Sequence, residues 1–208
     1  MKPYPVRYHL DPPSEFSRLQ LLVRLVAFCA IGILGISFGG VFSFAYLALP
    51  ILASTRIAGR DAAHYTGEDG PRIANVLRWF AAVSAWSALV ADRLPTREPS
   101  ETLTLELDVT THPTPSSAMW RLLTGLPSAL VLAVLGFFGT IVWLWAALTI
   151  LVNRRVGPNA FWYLAGLQRW SIRLLAYQAS LVDEYPPFSL GDADATPRMA
   201  PPMQGTRA

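Results

Sequence analysis

Two kinds of hydrophobic patterning run along this chain, and each occurs twice. Tyr4, Val6, Tyr8 and Leu10 alternate with Pro5, Arg7 and His9, and Leu103, Leu105, Leu107 and Val109 alternate with Thr104, Glu106, Asp108 and Thr110. A period of two marks a half-buried strand, so strands are predicted over 4–10 and 102–110. The prolines confine the first to an edge. Behind each strand comes a proline break, then a long run with few polar residues: 16–53 in one case, 122–152 in the other. About 20 apolar residues cross a hydrocarbon core. Transmembrane helices are therefore predicted over about 22–52 and about 120–152. Arg18 and Arg24, near the start of the first, are expected to snorkel toward the interface. Trp143 and Trp145 sit toward the end of the second, where belt aromatics lie.

A polar loop is expected over 54–71, and a shorter one over 153–159. Helices are predicted next, over 72–91 and 160–182. Both are less apolar than the runs before them and both carry arginine. Crossing the bilayer and lying in its interface are both open to them. After Leu190 the composition turns to Gly, Asp, Ala, Pro and Met, and 191–208 reads as a disordered tail.

The second half repeats the register of the first. Arg78-Trp79 is matched by Arg169-Trp170, Trp86 by Tyr177, Asp92 by Asp183 and Pro95 by Pro186, all 91 residues apart. Self-similarity at a fixed offset signals duplication. The fold expected is an all-α integral membrane protein of two tandem repeats, 1–95 and 96–190. Each repeat holds a long transmembrane helix and a shorter amphipathic or transmembrane helix, with short β-strands outside the membrane. Four spans is the working count. It puts both strands on one side, where they can pair.

Composition supports a bilayer as solvent. Hydrophobic residues make up 52% of the chain, charged residues 15%, and the mean hydropathy is +0.35. Soluble domains carry about 25% charged residues. The formal charge of +3 comes from arginine, since Lys2 is the only lysine. That balance suits the lipid bilayer, anionic lipid included, and not nucleic acid. Cys29 is alone and forms no internal disulfide. His9, His64 and His112 are isolated, without ligand spacing, so neither a metal nor a cofactor is expected. No nucleophile motif, phosphate loop or carboxylate pair stands out, so no catalytic residue is assigned and an enzyme is not expected.

Several residues invite a role. Gly35 and Gly39 stand four apart, as do Gly136 and Thr140, and such spacing lets helices approach closely. Arg169, Arg173 and Tyr177 share one helical face. With Trp170, and with Arg78 and Trp79 in the first half, they are expected to contact lipid or a partner. Arg169 and Arg173 are weighed as partners of Asp183 and Glu184, and Arg78 as a partner of Asp92. Headgroup contact is favoured for Arg173 and pairing within the protein for Arg169. Asp92, Asp183, Tyr185 and Pro186 close the motif, because proline cannot continue a helix.

These residues resemble a bacterial membrane family, domain-of-unknown-function family 4389. Its pattern is a strand, a long apolar helix, a Gly-Arg turn, an R-W-x-x-R…Y helix and a D-R-Y-P-P-F close. The second half matches at Arg169-Trp170, Arg173, Tyr177, Asp183 and Tyr185-Pro186-Pro187-Phe188. The first half matches at Arg78-Trp79, Asp92-Arg93 and Pro95. It departs at Ala82, Trp86 and Leu94. The resemblance implies two tandem copies, the first degenerate, and implies no activity. The expected function is a non-catalytic scaffold or accessory subunit of the inner or plasma membrane, multi-pass, touching lipid and a membrane-protein partner. The alternative is a small transporter, pore or lipid-handling protein lined by Arg78, Arg169 and Arg173. A conduit needs those arginines on a continuous polar path.

Overall fold

The two alternating segments do pair. In the computed structural model, which describes residues 4–33, 37–109 and 111–191, β1 (Val6–His9) and β2 (Thr104–Leu107) form an antiparallel ribbon. Val6 lies opposite Leu107 and His9 opposite Thr104. Alternation sends Val6, Tyr8 and Leu105 inward. On the outer face Arg7 pairs with Glu106 across the strands at 2.9 Å, the kind of cross-strand contact that supports a ribbon.

The rest of the fold is helical, and both long apolar runs are divided. The run predicted as one helix over 22–52 is two, α1 (Arg18–Ile33) and α2 (Phe38–Arg60). Ser37 caps α2, its hydroxyl accepting from the Gly40 N–H at 3.0 Å. A capping serine gives a new helix its start even within apolar sequence. Gly35 lies outside the described residues. The run predicted over 120–152 divides into α5 (Pro115–Thr124) and α6 (Leu126–Asn153). Thr114 and Ser117 form a capping box at the start of α5, with Pro115 in the first turn. Gly125 makes the α5–α6 joint possible: a Cβ there would meet the Gln178 amide nitrogen at 2.1 Å.

The polar stretch 54–71, expected as a loop, is helical almost throughout. α2 runs on to Arg60, followed by α3 (Ala62–His64), a π-helical turn (Tyr65–Asp69) and α4 (Gly70–Ser87). Its polar groups satisfy one another locally. The Asp61 carboxylate accepts from the His64 N–H at 2.7 Å, and Arg56 pairs with Asp69 at 3.0 Å. In the other half a short link leads from α6 to α7 (Pro158–Gln178).

α4 and α7 both stop four residues short of the predicted ends, and they stop in the same way. Leu89 (φ 61°) and Ser180 (φ 54°) take the left-handed conformation. Around Leu89, Ala88 N–H donates to Ser84 C=O and Val90 N–H to Ala85 C=O. Around Ser180, Ala179 N–H donates to Leu175 C=O and Leu181 N–H to Ala176 C=O. Each donor and acceptor is 91 residues from its counterpart. This closure satisfies the last helix carbonyls, although a non-glycine residue there costs roughly 1–2 kcal/mol.

α4 and α7 pack on each other, and the ribbon contacts both. α5 packs on α2 and α1 on α6, so the short helix of each half rests on the long helix of the other. Small residues let α4 approach its neighbours: Ala81, Ala82 and Ala85 are fully buried, as are Ile172, Leu174 and Leu175 of α7. α2 and α6 are different. Gly39–Arg60 and Leu126–Asn153 are long and apolar enough to cross a membrane, and only 22% and 17% of their most apolar stretches are buried. At 1.5 Å per residue they measure about 33 and 42 Å, against a hydrocarbon core of about 30 Å. Phe44, Leu130, Phe137 and Trp145 lie on their open faces, each more than 60% exposed.

Candidate functional site

The C-terminal motif is a reversal of the chain onto its own helix. Trp170 and Tyr177 stand two turns apart on α7. The D-E-Y-P-P-F segment runs back along them, so Tyr185 meets Tyr177 edge-on at 5.5 Å and Phe188 meets Trp170 edge-on at 5.4 Å. Edge-to-face pairs add to the burial of the rings. The Tyr185 hydroxyl lies 2.7 Å from the Ser128 hydroxyl of α6, and Pro186 is buried. Gly166 admits the returning chain, since a Cβ there would meet the Leu190 carbonyl oxygen at 2.6 Å. These are packing roles.

Two arginines outside the expected site, Arg121 and Arg24, hold the helix-end turns. Arg121 of α5 stacks 4.6 Å over the Tyr177 ring. Its guanidinium donates to the carbonyls of Tyr177 and Val182, and it pairs with the Asp183 carboxylate. Arg24 of α1 stacks 5.1 Å over the Trp86 ring. It donates to the carbonyls of Ala91 and Asp92. Both arginines are buried, and each lies six residues after the first residue of its helix. Trp86 and Tyr177 are 91 residues apart, as are Ala91 and Val182, and Asp92 and Asp183. A planar fork over an aromatic face with several donors turned to carbonyls is a geometry lysine cannot reproduce. The available signal was that 97 residues separate both Arg24 from Arg121 and Ser17 from Thr114. It was hidden because the partners lie more than 50 residues away in sequence.

Arg24 therefore does not snorkel; it is wholly buried on the α4 turn. The ion pairs weighed for the motif do not form as expected. Asp183 pairs with Arg121 and not with Arg169 or Arg173. Asp92 accepts the Ser17 N–H at 2.9 Å and is not joined to Arg78. Arg78 donates instead to the Leu105 carbonyl of β2 at 3.1 Å. Arg173, favoured for headgroup contact, is fully buried. It stacks over the Tyr4 ring at 5.1 Å and donates to the Val6 carbonyl of β1. Arg169 donates to the Leu190 carbonyl at 3.0 Å and lies 5.9 Å over Tyr8. A desolvated arginine needs this kind of multiple contact.

Trp170 and Tyr177 are buried and Trp79 is half-buried, so of the six residues expected at lipid or a partner, Trp79 and Arg78 retain the most surface. Among the described residues, a Cβ at Gly39 or Gly136 would meet nothing within 4 Å. The close helix contact falls at Gly139, where a Cβ would meet Leu167 Cδ1 at 2.8 Å.

A cleft of about 810 Å³ lies between the chain leaving β1 and the 91–104 linker. His9, Asp11, Glu15, Asp92 and Arg93 line it, and His9 Nε2 sits 3.4 Å from Asp11. It is polar and open, with His9 at the end of β1 and its other titratable groups on loops.

The model of Domain of unknown function (DUF4389) matches residues 115–189, which comprise α5, α6, α7 and the returning segment. The match spans the Arg121 clamp with Tyr177, Asp183 and Tyr185, and it supports the resemblance read from those residues. Comparison with curated proteins and with solved structures finds no match.

Proposed function

We propose that this chain is a multi-pass integral protein of the cell (inner or plasma) membrane, built from two tandem copies of one unit and serving as a non-catalytic scaffold or accessory subunit. The observation that carries the reading is the open apolar surface of α2 and α6. A soluble protein buries helices of this length and composition; these leave about four fifths of their most apolar stretches uncovered. A contiguous apolar surface of that size marks contact with lipid or with other helices. The tandem reading rests on the 91-residue offset shared by the two left-handed turns and by the residues the two arginines hold.

The scaffold is preferred to a conduit because of where the arginines point. Arg78 and Arg173 donate to ribbon carbonyls and Arg169 to the returning chain. They brace the ribbon on α4 and α7 rather than line an open path. Lipid and a membrane-protein partner are the expected contacts. Alkaline carbonate washing of membranes, followed by purification in mild detergent and identification of co-purifying proteins, tests both parts. Retention in the pellet with a stoichiometric membrane partner is expected. Release into the supernatant contradicts the membrane reading, and recovery of the protein alone contradicts the accessory role.

A further inference from the structure

The C-terminal end of α6 gathers three arginines. Arg154 and Arg155 directly follow Asn153, the last helical residue. The Phe16 N–H donates to the Arg154 carbonyl at 2.8 Å, and Arg18 donates to the Val152 carbonyl at 3.0 Å. The start of α1 is thereby fixed to the end of α6, bringing Arg18 beside the pair. All three arginines are exposed. Among the described residues none of them has an ion-pair partner. Glu15 is the nearest carboxylate in sequence, and Asp92 is engaged by the Ser17 N–H.

The corresponding end of α2 carries carboxylates of its own. Arg56 pairs with Asp69, Arg60 contacts His64 at 2.9 Å, and Arg72 lies 4.0 Å from Glu68 and from Asp69. These acidic residues sit in the longer link between α2 and α4, and the short link after α6 has none. The apolar surface of α6 runs right up to its arginines. Leu151 and Val152 are 55% and 63% exposed, with Trp145 and Trp162 open nearby. An exposed apolar helix face that gives way directly to cations, with tryptophans near the same end, is the order in which a bilayer's hydrocarbon and headgroup zones are met.

We propose that this end of α6 binds the phosphate of an anionic phospholipid headgroup, with the Arg154 and Arg155 forks on the phosphate oxygens and Arg18 alongside. This rests on the membrane reading above. Arginine suits the role because its planar fork matches phosphate geometry.

The test titrates short-chain phosphatidylglycerol into the whole protein in neutral detergent and follows the rise in melting temperature. Phosphatidylcholine and inorganic phosphate form parallel arms. Arg154→Gln/Arg155→Gln should shift the midpoint of the response about 25-fold upward, at roughly fivefold per charge near a lipid surface. Arg60→Gln/Arg72→Gln should leave the midpoint where it is in the unaltered protein. Identical midpoints for the first variant and the unaltered protein overturn the proposal. So does the absence of any phosphatidylglycerol response in the unaltered protein, or an equal response to inorganic phosphate. The carbonate wash separates the two readings: a pelleted protein without the titration effect refutes this site alone, whereas a released protein refutes membrane insertion.

Discussion

The Arg121 guanidinium lies 4.6 Å over the Tyr177 ring and donates to the Tyr177 carbonyl at 2.8 Å. One side chain on α5 thus grips the aromatic face and the closing turn of α7 together. Arg24 grips Trp86 and the end of α4 in the same manner. Arg121→Ala strands two carbonyls and the Asp183 carboxylate, and should destabilise by about 2–3 kcal/mol. Arg24→Ala strands two carbonyls only, and should cost about 1–2 kcal/mol. Lysine at either site should recover little, because it lacks the fork. Thermal melts of the four variants in detergent decide this. Full rescue by lysine would show that charge alone matters.

Ser180 holds a left-handed conformation that glycine adopts without strain. Ser180→Gly keeps the backbone carbonyl that Thr111 uses. Relief of roughly 1–2 kcal/mol of strain exceeds the backbone entropy cost of about 0.5–1 kcal/mol. A gain in melting temperature is expected. Leu89→Gly should instead lose stability despite the matching φ, because Leu89 is a fully buried core side chain. Opposite signs at two equivalent turns are the outcome to look for in paired melts.

These turns mark how far the sequence could be read. Period-two alternation located both strands, and the shared offset of 91 aligned the ends of α4 and α7, because each signal is carried by a few neighbouring residues. The division of the long runs was not legible. Ser37 looks like one more small residue in a membrane helix until its hydroxyl is seen on the Gly40 N–H, and Gly125 is explained only by Gln178 arriving from α7. The stretch 54–71 looked like a loop because it is polar; its helical state depends on Asp61, Arg56 and Asp69 finding one another. Arg169 and Arg173 were expected at lipid or a partner, and both are buried in the protein. Their partners, ribbon and tail carbonyls, could not be inferred from a one-dimensional pattern.

Glycine positions separate packing from open surface. Gly166→Ala would drive a methyl into the Leu190 backbone, and overpacking of this kind costs about 1–3 kcal/mol. Gly136→Ala meets nothing within 4 Å and should be neutral or slightly stabilising, since alanine favours a helix over glycine by up to about 1 kcal/mol. A large loss at Gly136 in membranes, absent in detergent, would reveal a partner helix on that face.

Burial raises the pKa of the Tyr8 and Tyr65 phenols above the ordinary value, desolvation being the first cause at both and Asp69 adding to it at Tyr65. The folded state therefore retains these protons where the unfolded chain gives them up. Their contribution is fully present below about pH 10, the unfolded tyrosine value, and falls away as pH rises above it. Melting temperatures between pH 9 and 12 should drop, and Tyr8→Phe should flatten the drop. An unchanged slope in Tyr8→Phe would remove Tyr8 from this account.

On the membrane reading, the open faces of α2 and α6 meet lipid. Cys29, the only cysteine, can be replaced by serine, and single cysteines carrying spin labels placed along α6 in reconstituted vesicles. Labels at 130, 134, 137, 141, 144 and 148, all exposed positions, should be reached by oxygen and shielded from a water-soluble nickel complex. Labels at 132, 139, 146 and 150, which face the protein, should be reached by neither. Ready access of the nickel complex to the exposed series through the middle of α6 would contradict the account.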